Sequence, residues 1–157
     1  MPIALPGWID RLETSAPDVV ACWRALDNSF SGLKALRREL RDRVHVGDTP
    51  RIVTQQEFVG DELEKVLRAM PDPLLRAPGG EGDWNVAQAF AHTTAARRFL
   101  GTWAALDAGG REWPTERAPV VTPSIPGRPD ATRQELLLLL DKSRRAIREA
   151  ADRKSVV

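Results

Sequence analysis

His92 is the residue of this sequence whose type and setting best suit chemistry. Ala89, His92, Ala96, Phe99 and Trp103 follow one another at spacings of three and four, so on a helix the imidazole shares the apolar stripe. An imidazole there is either a core residue with satisfied nitrogens or a ligand for a divalent metal. Periodicity alone leaves both readings open, and the core reading is the commoner.

The other reactive side chains have milder readings. His45 lies beside Gly47 at the end of a basic helix, where a solvated residue near a helix C-terminus is expected. Asp61, Glu62 and Glu64 could back a metal, but a solvated helix surface accounts for them. Lys34, Arg37, Arg38, Arg41 and Arg43 form a basic cluster. Glu39 and Asp42 interrupt it and no aromatic side chains accompany it, so paired charges on a helix face explain it better than nucleic acid does. Trp84, Trp103 and Trp113 could line a cavity. Cys22 has no histidine near it in sequence and reads as a buried thiol. No phosphate-binding glycine loop, Gly-x-Ser-x-Gly elbow or Cys-x-x-Cys pair occurs.

Four helical segments must position these groups. The first is expected over Pro17 to Val44, with Ser15 as cap, an apolar stripe of Trp23, Leu26, Phe30, Leu33, Leu36 and Leu40, and a weak point at Ser29 to Gly32. Val46 to Pro50 is expected to stop it. The second is expected over Gln55 to Met70, opened by a Thr54–Glu57 capping box and ended by Pro71 and Pro73. The third begins near Asn85, with Gln88 at capping-box distance, and ends at Gly109-Gly110. The fourth begins near Ala131, capped by Asp130 or by Thr132 with Glu135. Its run Leu136 to Leu140 is apolar all round and so is expected to be buried on more than one side. Between these last two lies a proline-rich connection, Arg111 to Pro129. A loop this long in a bundle is expected to pack over something.

Trp84-Asn85 followed by Ala91-His92, after Pro78-Gly79-Gly80 and before a long aromatic-bearing helix, resembles the second helix of the DinB-like domain. The resemblance covers about residues 52 to 151. It implies an all-α, up-and-down four-helix bundle that binds a divalent metal, zinc or nickel. One ligand comes from this helix and two from a His-x-x-x-His pair on the last helix. His92 carries over as the first ligand, and no residue carries over as the other two. The resemblance further implies a metal-dependent hydrolase or a transferase using a low-molecular-weight thiol, with a small molecule or thiol as substrate. With one ligand of three, activity and tight metal retention are not expected in the sequence as written. The other class is a non-catalytic helical binding module or an incomplete fragment.

On this reading residues 1–48 are an extra amphipathic N-terminal helix, 49–151 a partial DinB-like bundle lacking its C-terminal helix, and 152–157 a non-native tail. Asp152 to Val157 can be back-translated to the start of a common short-read sequencing adapter, so natural sequence is expected to end near Ala151. The N-terminal stripe must be buried, either in the slot of the absent helix or by self-association, a homodimer being the simplest form.

Composition sets outer limits. The 157 residues suit one domain with a modest core. Charged residues make up 29% and hydrophobic ones 42%, and the net charge of +1 gives no case for nucleic acid or an anionic membrane. The single cysteine rules out an internal disulfide framework and suits a reducing cytoplasm. No apolar run approaches a membrane span, and the first residues do not read as a signal peptide.

Overall fold

The computed structural model describes residues 7–25, 30–79, 82–108 and 125–154. Among the described residues are six α-helices, one 3-10 turn and no strand, the all-α class expected. They divide into two compact units, Met1–Leu63 and Glu64–Val157. The division falls inside α4 (Thr49–Ala69), whose residues up to Leu63 belong to the first unit.

In the first unit the expected Pro17–Val44 helix is described as α2 (Pro17–Ala25) and α3 (Phe30–Arg43), and a further helix, α1 (Trp8–Ser15), precedes it. Residues 26–29 lie outside the described ones, and of the expected weak point Ser29–Gly32 the residues from Phe30 on belong to α3. Ser15 ends α1 instead of capping α2. Pro17 opens α2, where its missing amide costs nothing. The amides of Asp18 and Val19 donate to Gln55 Oε1 at 2.9 and 3.3 Å, so a side chain of α4 caps α2. The expected stripe is uneven as well. Trp23 is 60% exposed and Leu40 is exposed, whereas Ala16 and Val20 are buried. The break at Ala16 sets the face that α2 turns inward.

Asp18 is buried with charge and pays no isolation penalty, because its carboxylate is met from three sides. Arg51 pairs with it, Arg43 Nη1 reaches it at 3.3 Å, and Gln55 Nε2 donates to it at 2.5 Å. Arg51 also donates to the carbonyl of Arg43 at 2.6 Å, tying the start of α4 to the end of α3.

The helix α4 starts earlier than expected. Asp48 supplies the first carbonyl, to Ile52 at 3.0 Å, and Pro50 falls in the first turn, where proline is tolerated. The expected Thr54–Glu57 box is therefore absent: Thr54 Oγ1 donates back to the carbonyl of Pro50 at 2.9 Å, inside the helix. The turn before it has Gly47 at φ 94°, a conformation that favours glycine.

The second unit contains the end of α4, the 3-10 turn Asp72–Arg76, α5 (Val86–Ala108) and α6 (Arg133–Lys154). Leu67, Leu75, Ala87, Ala91, Ala131 and Leu136 form one buried cluster. Each fully buried leucine contributes about 1.5–3 kcal/mol of transfer free energy. Leu136 and Leu140 are fully buried, Leu137 and Leu139 half-buried, but Leu138 is 49% exposed. The leucine run is thus not buried all round, because a packed helix keeps one side to solvent.

Both expected caps of the later helices are present. Asn85 and Gln88 exchange hydrogen bonds at 3.1 and 2.9 Å ahead of α5, and Thr132 and Glu135 do so at 2.8 and 3.2 Å ahead of α6. The amide and then the hydroxyl of Thr132 hold the Glu135 carboxyl below its usual range.

The helices α5 and α6 run in the same direction. Their starts adjoin, since Asn85 Nδ2 donates to the carbonyl of Pro129 at 2.8 Å. Further along, a Cβ on Gly101 would lie 3.1 Å from the backbone of Ala146. The end of α5 and the start of α6 therefore lie about one helix length apart, since the 23 residues of α5 rise about 35 Å. At least about ten extended residues are needed to cover that distance. The proline-rich connection between the two helices is described only from Ile125 onward.

Candidate metal centre

The approach to α5 is built by a short pairing. Val86 N donates to the carbonyl of Ala77 at 3.0 Å, and Gly79 N to that of Trp84 at 3.1 Å. This fixes Trp84 at the helix entrance, where its ring meets the His92 ring edge-on with centroids 5.2 Å apart. Two turns into the helix, His92 Nδ1 lies 3.0 Å from the carbonyl oxygen of Ile125. A carbonyl only accepts, so Nδ1 carries the hydrogen. In the neutral ring Nε2 then holds the lone pair. No hydrogen bond to Nε2 is present among the described residues. A carbonyl on one ring nitrogen and a lone pair on the other is how metal-ligating histidines are oriented.

The stripe of His92 is not the core face. Among the described side chains of α5 the buried positions are Ala87, Ala91, Thr94 and Gly101. His92, Ala89 and Ala96 are half-buried and Phe99 is 52% exposed. Small residues face α6 because the two helices pass close together, so Phe99, a large apolar residue of the stripe, is left to the solvent side. The satisfied-core reading thus gives way to a half-buried imidazole held on one side.

Ile125 belongs to the proline-rich connection, which is pinned along α5 at several points. Gly127 N donates to the carbonyl of Gln88 at 3.3 Å, and a Cβ on Gly127 would lie 2.2 Å from that of Ala91. Arg76 donates to the carbonyls of Pro129, Asp130 and Ala131 at 2.6, 3.0 and 2.9 Å. Nothing in sequence spacing linked Ile125 to His92, 33 residues away; only the expectation that the connection packs over something pointed there. Gly127→Ala should push this segment off α5. A loss of about 1–3 kcal/mol is expected, read as a lowered Tm, and an unchanged Tm would show that the segment yields freely.

The remaining candidates are placed elsewhere or engaged otherwise. His45 is 67% exposed, with Nδ1 3.5 Å from Asp48. Glu62 is buried and paired with Arg11 at 2.8 Å. Glu64 pairs with Arg68 at 2.8 Å and Arg144 at 3.2 Å, and Asp61 is exposed. In the basic cluster Arg43 pairs with Glu39 at 2.6 Å, as a solvated face would. Cys22 is half-buried. Burial and then Glu39 raise its thiol pKa, against a smaller pull from Arg43, which is unsuited to a nucleophile. Trp113 and the side chain of Trp103 lie outside the described residues. Among the described residues no group of three His, Cys, Asp or Glu could hold a metal ion. His92 fits one ligand position, and the described residues do not make a complete donor set.

No described helix is long and apolar enough to cross a membrane. Comparison with curated proteins and with solved structures gives no match. Residues 55–155, well over half of the chain, match the DinB superfamily, and this span contains the Trp84–His92 pair, the pinned connection and both parallel helices. The chain belongs to the DinB superfamily.

Proposed function

We propose that this chain is a DinB-superfamily protein of the metal-dependent kind, with His92 as one ligand of a divalent ion such as zinc or nickel. The reaction class is hydrolysis, or transfer to a low-molecular-weight thiol, on a small-molecule substrate. The observation that supports it is the His92 ring, with Nδ1 on the Ile125 carbonyl and the Nε2 lone pair available. A metal-dependent reaction of this kind uses three protein ligands and an open position for water or substrate. These 157 residues contain two histidines, and His45 is engaged with Asp48. No catalytic step is therefore assigned through a metal, and this stretch alone is expected to bind one weakly and without turnover. The single cysteine, Cys22, suits a reducing, cytoplasmic setting.

The shortage of donors favours a second reading, a non-catalytic helical module that binds a small ligand. Zinc and nickel titrations followed by calorimetry, with thermal unfolding in parallel, separate the two. Weak one-site binding that raises Tm and disappears in both His92→Ala and His92→Gln supports the ligand role. Stoichiometric metal that survives both substitutions overturns it, as does an absence of any binding.

A further inference from the structure

The seam of α5 and α6 has a charged outer edge. Where Gly101 lets α5 approach the backbone of Ala146 and Ile147, the two helices frame an open cleft of about 280 Å³. Arg98 and Thr102 line it from α5, and Lys142, Arg145 and Glu149 from α6. Spacing explains the convergence. Arg98 and Thr102 are one turn apart on one face, and Lys142, Arg145 and Glu149 recur at three and four on the other.

Elsewhere in this unit, several arginines lie against carboxylates. Arg144 meets Glu64, Arg133 meets Asp72, and Arg128 meets Asp130 and Glu135. Arg145, at the cleft, meets Asp141 at 2.9 Å. Arg98 and Lys142 form no ion pair among the described residues, although they face one cleft from two helices. Like charges so placed repel, and a bound anion would relieve both at once.

We propose that this cleft binds a small multivalent oxyanion, a phosphate ester or a polycarboxylate. Arg98 offers a planar fork of donors for two oxygens, and Lys142 a point charge facing it. Glu149 opposes the ligand's charge and so sets the upper limit of affinity. The site is separate from His92. Arg98 lies six residues further along α5, about 9 Å along the axis and roughly 240° around it.

The test is a two-dimensional NMR titration of the whole chain with pyrophosphate and, separately, with citrate. Saturable shifts centred on Arg98, Thr102 and Lys142 are expected with at least one of them. The stronger ligand identifies the phosphate or the carboxylate class. Arg98→Ala with Lys142→Ala should weaken binding about tenfold. Glu149→Gln should strengthen it several-fold, and Arg38→Ala on α3 should leave it unchanged. These side chains are exposed, so circular dichroism should show an intact fold. The proposal is overturned if neither anion saturates at millimolar concentration, if the double variant binds as the parent does, or if Glu149→Gln weakens binding.

Discussion

Leu136→Ala is expected to lower stability by about 3–5 kcal/mol, the upper part of the range for buried leucines. Leu136 is fully buried and joins Leu67, Leu75, Ala87, Ala91 and Ala131 in the core cluster. Three of those five neighbours are alanines, too short to fill the space left by an isobutyl group. Residual cavity volume governs the penalty. The matching control is Leu138→Ala on the exposed side of the same helix, with an expected loss below about 1 kcal/mol. Urea unfolding of both variants measures the contrast. Equal losses would mean that the α5–α6 seam is not the core of its unit.

Asp18→Ala is the second large effect, and its cause is polar. The substitution strips a buried carboxylate from Arg43, Arg51 and Gln55, leaving the Gln55 amide with a lost acceptor. Breaking a buried pair costs about 3–5 kcal/mol. Arg43 and Arg51 are 37% and 43% exposed and can recover water, so about 2–4 kcal/mol is expected here. Asp18→Asn keeps the shape and one acceptor, and its loss should be about half as large. Thermal unfolding of the two variants decides the matter. A neutral Asp18→Ala would reduce the network to surface pairing.

How much of this was legible in the sequence depended on the range of the interactions. The Asn85–Gln88 and Thr132–Glu135 caps were readable because both partners lie within one turn. The start of α4 was not, since a proline such as Pro50 fits a helix stop and, in the first turn, a helix beginning equally well. The cap of α2 by Gln55 was out of reach because its partner is 37 residues away. His92 was found by type and spacing, yet its orientation depends on Ile125, which no local pattern indicates. The buried face of α5 was misjudged for a related reason. Periodicity weights large apolar residues, whereas a close helix seam selects alanine, threonine and glycine.

The shared direction of α5 and α6 also bears on how this unit acquires its structure. Two antiparallel helices can zip together from the turn that joins them. A parallel pair cannot, because Gly101 and its contact Ala146 are 45 residues apart in sequence, and every contact along the seam closes a loop of similar size. Each doubling of such a loop adds about 0.6 kcal/mol of closure entropy. The seam is therefore expected to form after the two helices themselves. Contacts of this sequence separation are costly to close, so docking of the two helices, rather than their formation, is the expected slow step of folding.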